Sequence, residues 1–318
     1  MSETAALLPD SAQHPAEGFG ATSADRFQDA VADRASRTGA RTSSVFAGSL
    51  GRLARRPAAA LALLWLLVVI VAGLWPGVLA PGDPLAGVPA ENLQGPSAAH
   101  WFGTDQIGRD LYTRVVHGTS LTISAAAIAV AVGLVAGSAL GLLSGFAGGR
   151  TDAVIMRAAD VLLAIPGLLL SLALITALGF GTVNVAIAVG VASVASVSRI
   201  MRAEVIKVRG SAYVEAARAS GNGWLRVLVR HVLPNSTGPV IVLGVLEFGG
   251  AILAVSALSF LGYGAPAPAP EWGALVSGGR DFLRGAWWLT TFPGLTIALT
   301  VLAANRLARG LDTEGAAR

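Results

Sequence analysis

Apolar stretches separated by short polar ones run along this chain from residue 57 onward. Pro57 to Gly82 carries no charge, nor do Val115 to Gly149, Val161 to Ser198 and Gly285 to Asn305, and between His231 and Glu271 the one charged side chain is Glu247. A helix needs roughly 20 apolar residues to cross about 30 Å of hydrocarbon. The pattern therefore predicts spans near 58–80, 119–146, 153–178, 182–200, 236–261 and 286–307, the long third stretch dividing at the turn signal Gly179-Phe180-Gly181-Thr182. The expected fold class is an all-α integral membrane protein of six transmembrane helices, with both termini on one side.

Composition agrees with this reading. Of 318 residues, 53% are hydrophobic and 13% charged, with a mean hydropathy of +0.64, which is too apolar for a soluble domain of ordinary surface. Basic residues set the orientation. Seven arginines (Arg26, Arg34, Arg37, Arg41, Arg52, Arg55 and Arg56) precede the first span, and six more with Lys207 lie between Arg199 and Arg230. The opposite loops hold only Arg109 and Arg114, or Arg280 and Arg284, each offset by acids. The positive-inside rule then places both termini and the 201–234 loop in the cytosol. The isoelectric point near 10.3 reflects that topology rather than nucleic-acid binding. Residues 1–50 contain no apolar run of signal-peptide length and read as a disordered tail. Cysteine is absent, and His14, His100, His117 and His231 form no metal-ligand spacing.

The polar segment between the fourth and fifth spans carries the most specific signal. Ser211 to Ser220 reads as a helix with Tyr213, Ala216, Ala217 and Ser220 on one face, small enough to seat closely in a groove of another protein. Glu215 is placed to pair with Arg218 at i, i+3, and Gly221 supplies a left-handed stop. Glu215, Ala216, Ala217, Gly221, Leu233 and Pro234 have the spacing of the loop by which permease subunits of ABC importers dock onto their ATPases, and the chain resembles that family. Arg230-His231-Val232-Leu233-Pro234-Asn235 is most similar to the dipeptide and oligopeptide branch, DppC/OppC-like, which also includes permeases for nickel complexes and glutathione. Further blocks extend the resemblance from residue 58 onward: Phe102-Gly103-Thr104-Asp105, Gly145-Phe146-Ala147-Gly148-Gly149, Ala164-Ile165-Pro166-Gly167, Pro270-Glu271-Trp272-Gly273 and Phe292-Pro293-Gly294.

The resemblance implies a MetI-like type I importer permease fold. Span count, charge and resemblance together give the expected organisation: a disordered cytosolic tail over 1–50, a first helix within 51–80, an external loop over 81–118, a permease domain over 119–310 with a coupling helix at about 211–222, and a second cytosolic tail over 311–318. The resemblance also implies a second homologous permease, two ATP-binding subunits or one fused ATPase that carry the ATP and Mg, an extracytoplasmic substrate-binding protein, and surrounding lipid. No cofactor is expected on this chain.

Motif absences agree. Lys207, the single lysine, is followed by Val208, so no Walker A sequence exists, and neither G-x-S-x-G nor H-E-x-x-H occurs. The rival class is an ion-driven secondary transporter, which needs spans and buried acids but no docking loop.

Individual residues carry narrower expectations. Gly133, Gly137, Gly141 and Gly145 recur every fourth residue over about 18 Å of helix, a stripe against which a helix of this chain or of a second permease can pack closely. Asp160 is expected to pair with Arg157 at the cytosolic end of the third span. Glu247 lies deep in the fifth, where the resembling family tends to have a small residue; both acids are pathway candidates, with a structural pair inside the bundle as the alternative for Glu247. Asp105, Arg109 and Asp110 are expected to pair locally or to meet the binding protein. Trp272, Trp287 and Trp288 read as an external interfacial belt, and Pro166 and Pro293 as kinks.

Overall fold

The computed structural model describes residues 57–315. The tail expected over 1–50, its arginines and residues 316–318 lie outside the described residues. We number the principal helices α1 (Pro57–Leu74), α2 (Leu111–Ala147), α3 (Gly149–Leu163), α4 (Gly167–Leu178), α5 (Thr182–Arg209), α6 (Ala212–Ala219), α7 (Trp224–Phe260), α8 (Trp272–Gly279) and α9 (Trp288–Gly315). Among the described residues there are no strands, only two isolated bridges in the 81–110 segment.

Five helices (α1, α2, α5, α7 and α9) are long and apolar enough to cross a membrane. The sixth expected span, 153–178, is not one helix. It divides into α3 and α4, which meet at 94°. Pro166 explains the break: it lacks an N–H, disfavours helical geometry in the residue before it, and itself adopts an extended ψ of 129°. Pro166 therefore ends a helix rather than kinking one. Pro293 lies inside α9.

Other boundaries also move. Helix α2 begins at Leu111, eight residues before the expected start, because Asp110 caps it by accepting from the Thr113 N–H at 2.8 Å. Counting uncharged residues excluded this turn on account of Arg114. In the fold Arg114 is buried and donates to the carbonyls of Pro84 and Pro268, at 3.0 and 3.3 Å. Helix α9 continues to Gly315, into the segment expected as a tail.

The helices α2, α5 and α7 form the centre, with α1 and α9 packed beside them. The middle is filled by Ala125, Ala129, Val185, Val189, Ile252 and Val255. A second cluster, Val197, Met201, Val205, Val214, Val227 and Val232, fills the end that carries α6. Leu111, Val115, Leu289 and Trp288 fill the opposite end.

The closest pairing is α2 on α5. A methyl group at Gly133 would lie 2.0 Å from Ser193 Oγ, at Gly137 2.6 Å from Val197 Cβ, at Gly141 2.4 Å from the Ser198 carbonyl, and at Gly145 2.9 Å from the Arg202 carbonyl. All four glycines face one helix of the same chain, and α5 reciprocates with Gly190 against the Ala129 carbonyl. Without a hydrophobic drive between helices in lipid, backbone approach at this range supplies the association through dispersion.

Candidate functional site: the α6 coupling surface

The helix α6 stands at a corner between α5 and α7 and buries one side chain fully, Val214, among Val205, Val227 and Val232. Its C-terminus is a complete Schellman turn. Gly221 adopts φ +79°, its N–H donates to the Arg218 carbonyl at 3.0 Å, and the Asn222 N–H donates to the Ala217 carbonyl at 3.3 Å. The Asn222 side chain adds a bond to the same carbonyl at 2.9 Å. The sequence therefore stops the helix where glycine permits a left-handed residue. Eight residues remain as a short projecting rod.

That rod turns its chemistry outward. Tyr213 is 47% exposed, Glu215, Ala216, Arg218 and Gly221 are exposed, and Ala217 is half-buried. The expected Glu215–Arg218 pair does not form. Arg218 lies over the Phe146 ring, 5.4 Å from its centroid, and Glu215 has no polar partner among the described residues. The neighbouring start of α7 adds exposed Trp224, Leu225 and Val229.

Several bonds brace the bundle helices next to the rod. Arg209, just before α6, donates to the carbonyls of Gly145 and Phe146 at 3.1 and 2.7 Å, which caps the C-terminal end of α2 with a cation. Asp152 on α3 accepts from Ser144 on α2 and from Nε and Nη2 of Arg202 on α5 at 2.5 Å each. Asp160 pairs with Arg199 on α5 at 2.5 Å, not with Arg157, so it ties α3 to α5 across elements. Within α7, the turn Leu228–Val232 is π-helical and hands over to Leu233-Pro234. A widened turn removes the need for the N–H that Pro234 lacks. In the sequence Arg202 and Arg209 stand out only as positive charges. No local spacing identifies their partners, which lie 50 or more residues away.

The other two site groups lie elsewhere. Glu247 faces a cavity between α2, α4, α5 and α7. At the end opposite α6, Asp105, Arg109 and Asp110 are satisfied locally: Asp105 accepts from Arg109 Nε at 2.6 Å and from two backbone N–H groups at 3.0 Å, while Asp110 holds Thr113 and His100. Two of the three expected belt tryptophans are internal. Trp272 is fully buried, its indole donating to the Val115 carbonyl at 3.0 Å, Trp288 is buried against Thr104, and only Trp287 faces out. Glu271, quoted in a motif but given no role, is fully buried and accepts from Ser259 Oγ at 2.5 Å and from the Ala265 N–H at 3.0 Å. Burial pushes its carboxyl above the usual range, partly offset by those two donors.

The profile of the family described as binding-protein-dependent transport system inner membrane component matches residues 137–314. The chain is 44% identical to a dipeptide transport system permease protein of Alkalihalophilus pseudofirmus, over 70% of this chain and 73% of that one. It is 39% identical to a glutathione transport system permease protein of Pectobacterium atrosepticum, over 82% and 87% respectively. In fold it is similar to the crystal structure of an amino acid ABC transporter with histidines, at TM-score 0.50 and 16% identity, covering 62% of this chain and 92% of that chain. The chain belongs to the binding-protein-dependent inner membrane component family, and is a membrane-spanning permease subunit of an ABC transporter.

Proposed function

We propose that this permease forms half of a translocation pathway for dipeptides and oligopeptides and is driven through α6 by separate ATPase subunits that hold the ATP and Mg. The observation that carries the reading is the exposed α6 rod with its docking-loop residues, anchored to α5 and α7 by Val214 and to α2 by Arg218. A rigid short helix joined to α2, α5 and α7 passes a push from a partner to all three, which is how closure of an ATPase pair would tilt them between inward- and outward-open states. The arginine and lysine distribution supports a cytosolic α6 end, with both termini there and the 81–110 segment outside, where a binding protein delivers substrate. A second homologous permease completes the pathway. Peptide cargo follows the dipeptide relative, and the glutathione relative favours glutathione, itself a small peptide, as the second reading. Asp160, committed to Arg199 at the α6 end, acts as a brace in this scheme and leaves the pathway role to Glu247.

The test is reconstitution with the second permease, the ATPases and a peptide-loaded binding protein. Glu215→Lys reverses an exposed charge, and Gly221→Val puts a β-branched residue at positive φ. Each is expected to lower uptake by about tenfold, within the usual range of coupling free energies, while the permease stays inserted and ATP hydrolysis continues. Full uptake in both variants would contradict the lever, and a permease that never copurifies with ATPases would contradict the assembly.

A further inference from the structure

Glu247 lies near the middle of the Leu233–Phe260 stretch of α7 and lines a cavity of about 270 Å³. The walls are apolar apart from three hydroxyls, Ser171 on α4 and Ser193 and Ser196 on α5. No arginine, lysine or histidine lines it, and the Glu247 carboxylate has no hydrogen bond or ion pair among the described residues. An ionisable group at this depth is costly to keep and marks a route or a partner.

The hydroxyls restrict what the partner can be. Ser171 donates to the Gly167 carbonyl at 2.9 Å, Ser193 to the Gly190 carbonyl at 2.9 Å, and Ser196 to the Ser193 carbonyl at 2.8 Å. In this arrangement each hydroxyl donates to a backbone carbonyl and has its lone pairs left for a ligand, and an ionised carboxylate is acceptor-only. The polar side chains of the cavity therefore present acceptors and no donors. A primary ammonium, with three N–H donors and one positive charge, is the complement, whereas a carboxylate or phosphate finds no side-chain donor. The volume falls below the roughly 300–1,000 Å³ of sites that enclose a whole drug-sized ligand. It suits one end of a peptide.

We infer that Glu247 is a way-station for the amino-terminal ammonium of the transported peptide, a specificity-determining contact inside the pathway. This rests on the importer reading above and deepens it. Dipeptides, longer peptides and glutathione all carry that ammonium, so the site selects the shared group and leaves side-chain choice to the binding protein. The carboxylate and the ammonium neutralise each other inside the cavity during passage, and the charge-assisted hydrogen bond between them is about twice as strong as a neutral one.

The experiment uses the complete reconstituted importer with binding protein preloaded with dialanine, so that receptor selectivity is the same for every permease variant. Glu247→Gln is expected to lower dialanine uptake by about tenfold or more, the loss associated with one charged hydrogen bond, while ATP hydrolysis stimulated by the loaded receptor stays near wild type. Glu247→Asp, which keeps the charge, is expected to retain most uptake. Wild-type uptake that Glu247→Gln leaves intact overturns this site alone. Loss of the second permease from the purified Glu247→Gln complex also overturns it, in favour of an ion pair between subunits. A wild-type complex that moves no peptide overturns the importer reading and this site with it.

Discussion

Arg218 and Asp160 each have a complementary charge three residues away in sequence, and neither takes it. A helix-surface pair at i, i+3 contributes only about 0.2–0.5 kcal/mol, which contacts across elements readily exceed. Arg218 covers the Phe146 ring and Asp160 holds Arg199, so both residues join helices rather than decorate one. Glu271 shows the same dependence on tertiary neighbours, since burial against the end of α7 raises its carboxyl above the ordinary value of 4.5. A raised native value means that the folded state holds the proton more tightly than the unfolded chain. Its stabilising contribution is complete below 4.5 and declines as pH rises through the native value. Thermal unfolding in detergent should therefore show stability falling from pH 4.5 toward neutrality, and Glu271→Gln, which can still accept from Ala265, should flatten that slope. An unchanged slope in the variant would assign the pH response to other groups.

At the scale of elements, the lengths of the uncharged apolar stretches locate the spans and packing sets their ends. The glycine series on α2 was visible as a stripe, but its partner is chosen by three-dimensional register. Gly141→Val would drive a side chain into the Ser198 carbonyl and Met201, and is expected to destabilise by about 1–3 kcal/mol or to block stable insertion. Gly278→Ala meets open space and should leave the melting curve in place, so equal effects of the two substitutions would show that the stripe does not govern the α2–α5 contact. The break between α3 and α4 and the short helix α8 are not legible in the sequence. A proline in an apolar run signals a kink or a stop equally well, and α8 is eight residues whose burial depends on α7 and α9.

For the molecule as a whole, charge asymmetry predicts orientation, and the chain lends itself to a direct test because it contains no cysteine. Single substitutions Ser220→Cys beside α6 and Gln106→Cys at the opposite end both fall on exposed positions. In right-side-out vesicles a membrane-impermeant maleimide is expected to label the cysteine at 106 and to spare the one at 220 until the membrane is permeabilised. The reverse pattern would invert the topology and remove the motor-docking role of α6. The sequence by itself determined what depends on local composition and spacing: the membrane class, the approximate position of five spans, the α6 helix with its glycine stop, and the family through the spacing of Glu215, Ala216, Ala217, Gly221, Leu233 and Pro234. Hydrocarbon length, helix periodicity and the steric freedom of glycine act over a few residues or one turn, so they can be read in order along the chain. Only the tertiary structure decided that the glycine stripe meets α5, that Arg202 and Arg209 brace α3 and α2, that Trp272 and Glu271 are internal, and that Glu247 faces a cavity without a counter-charge. Those outcomes depend on which surfaces exclude lipid and water together, and residues far apart in the chain settle that jointly.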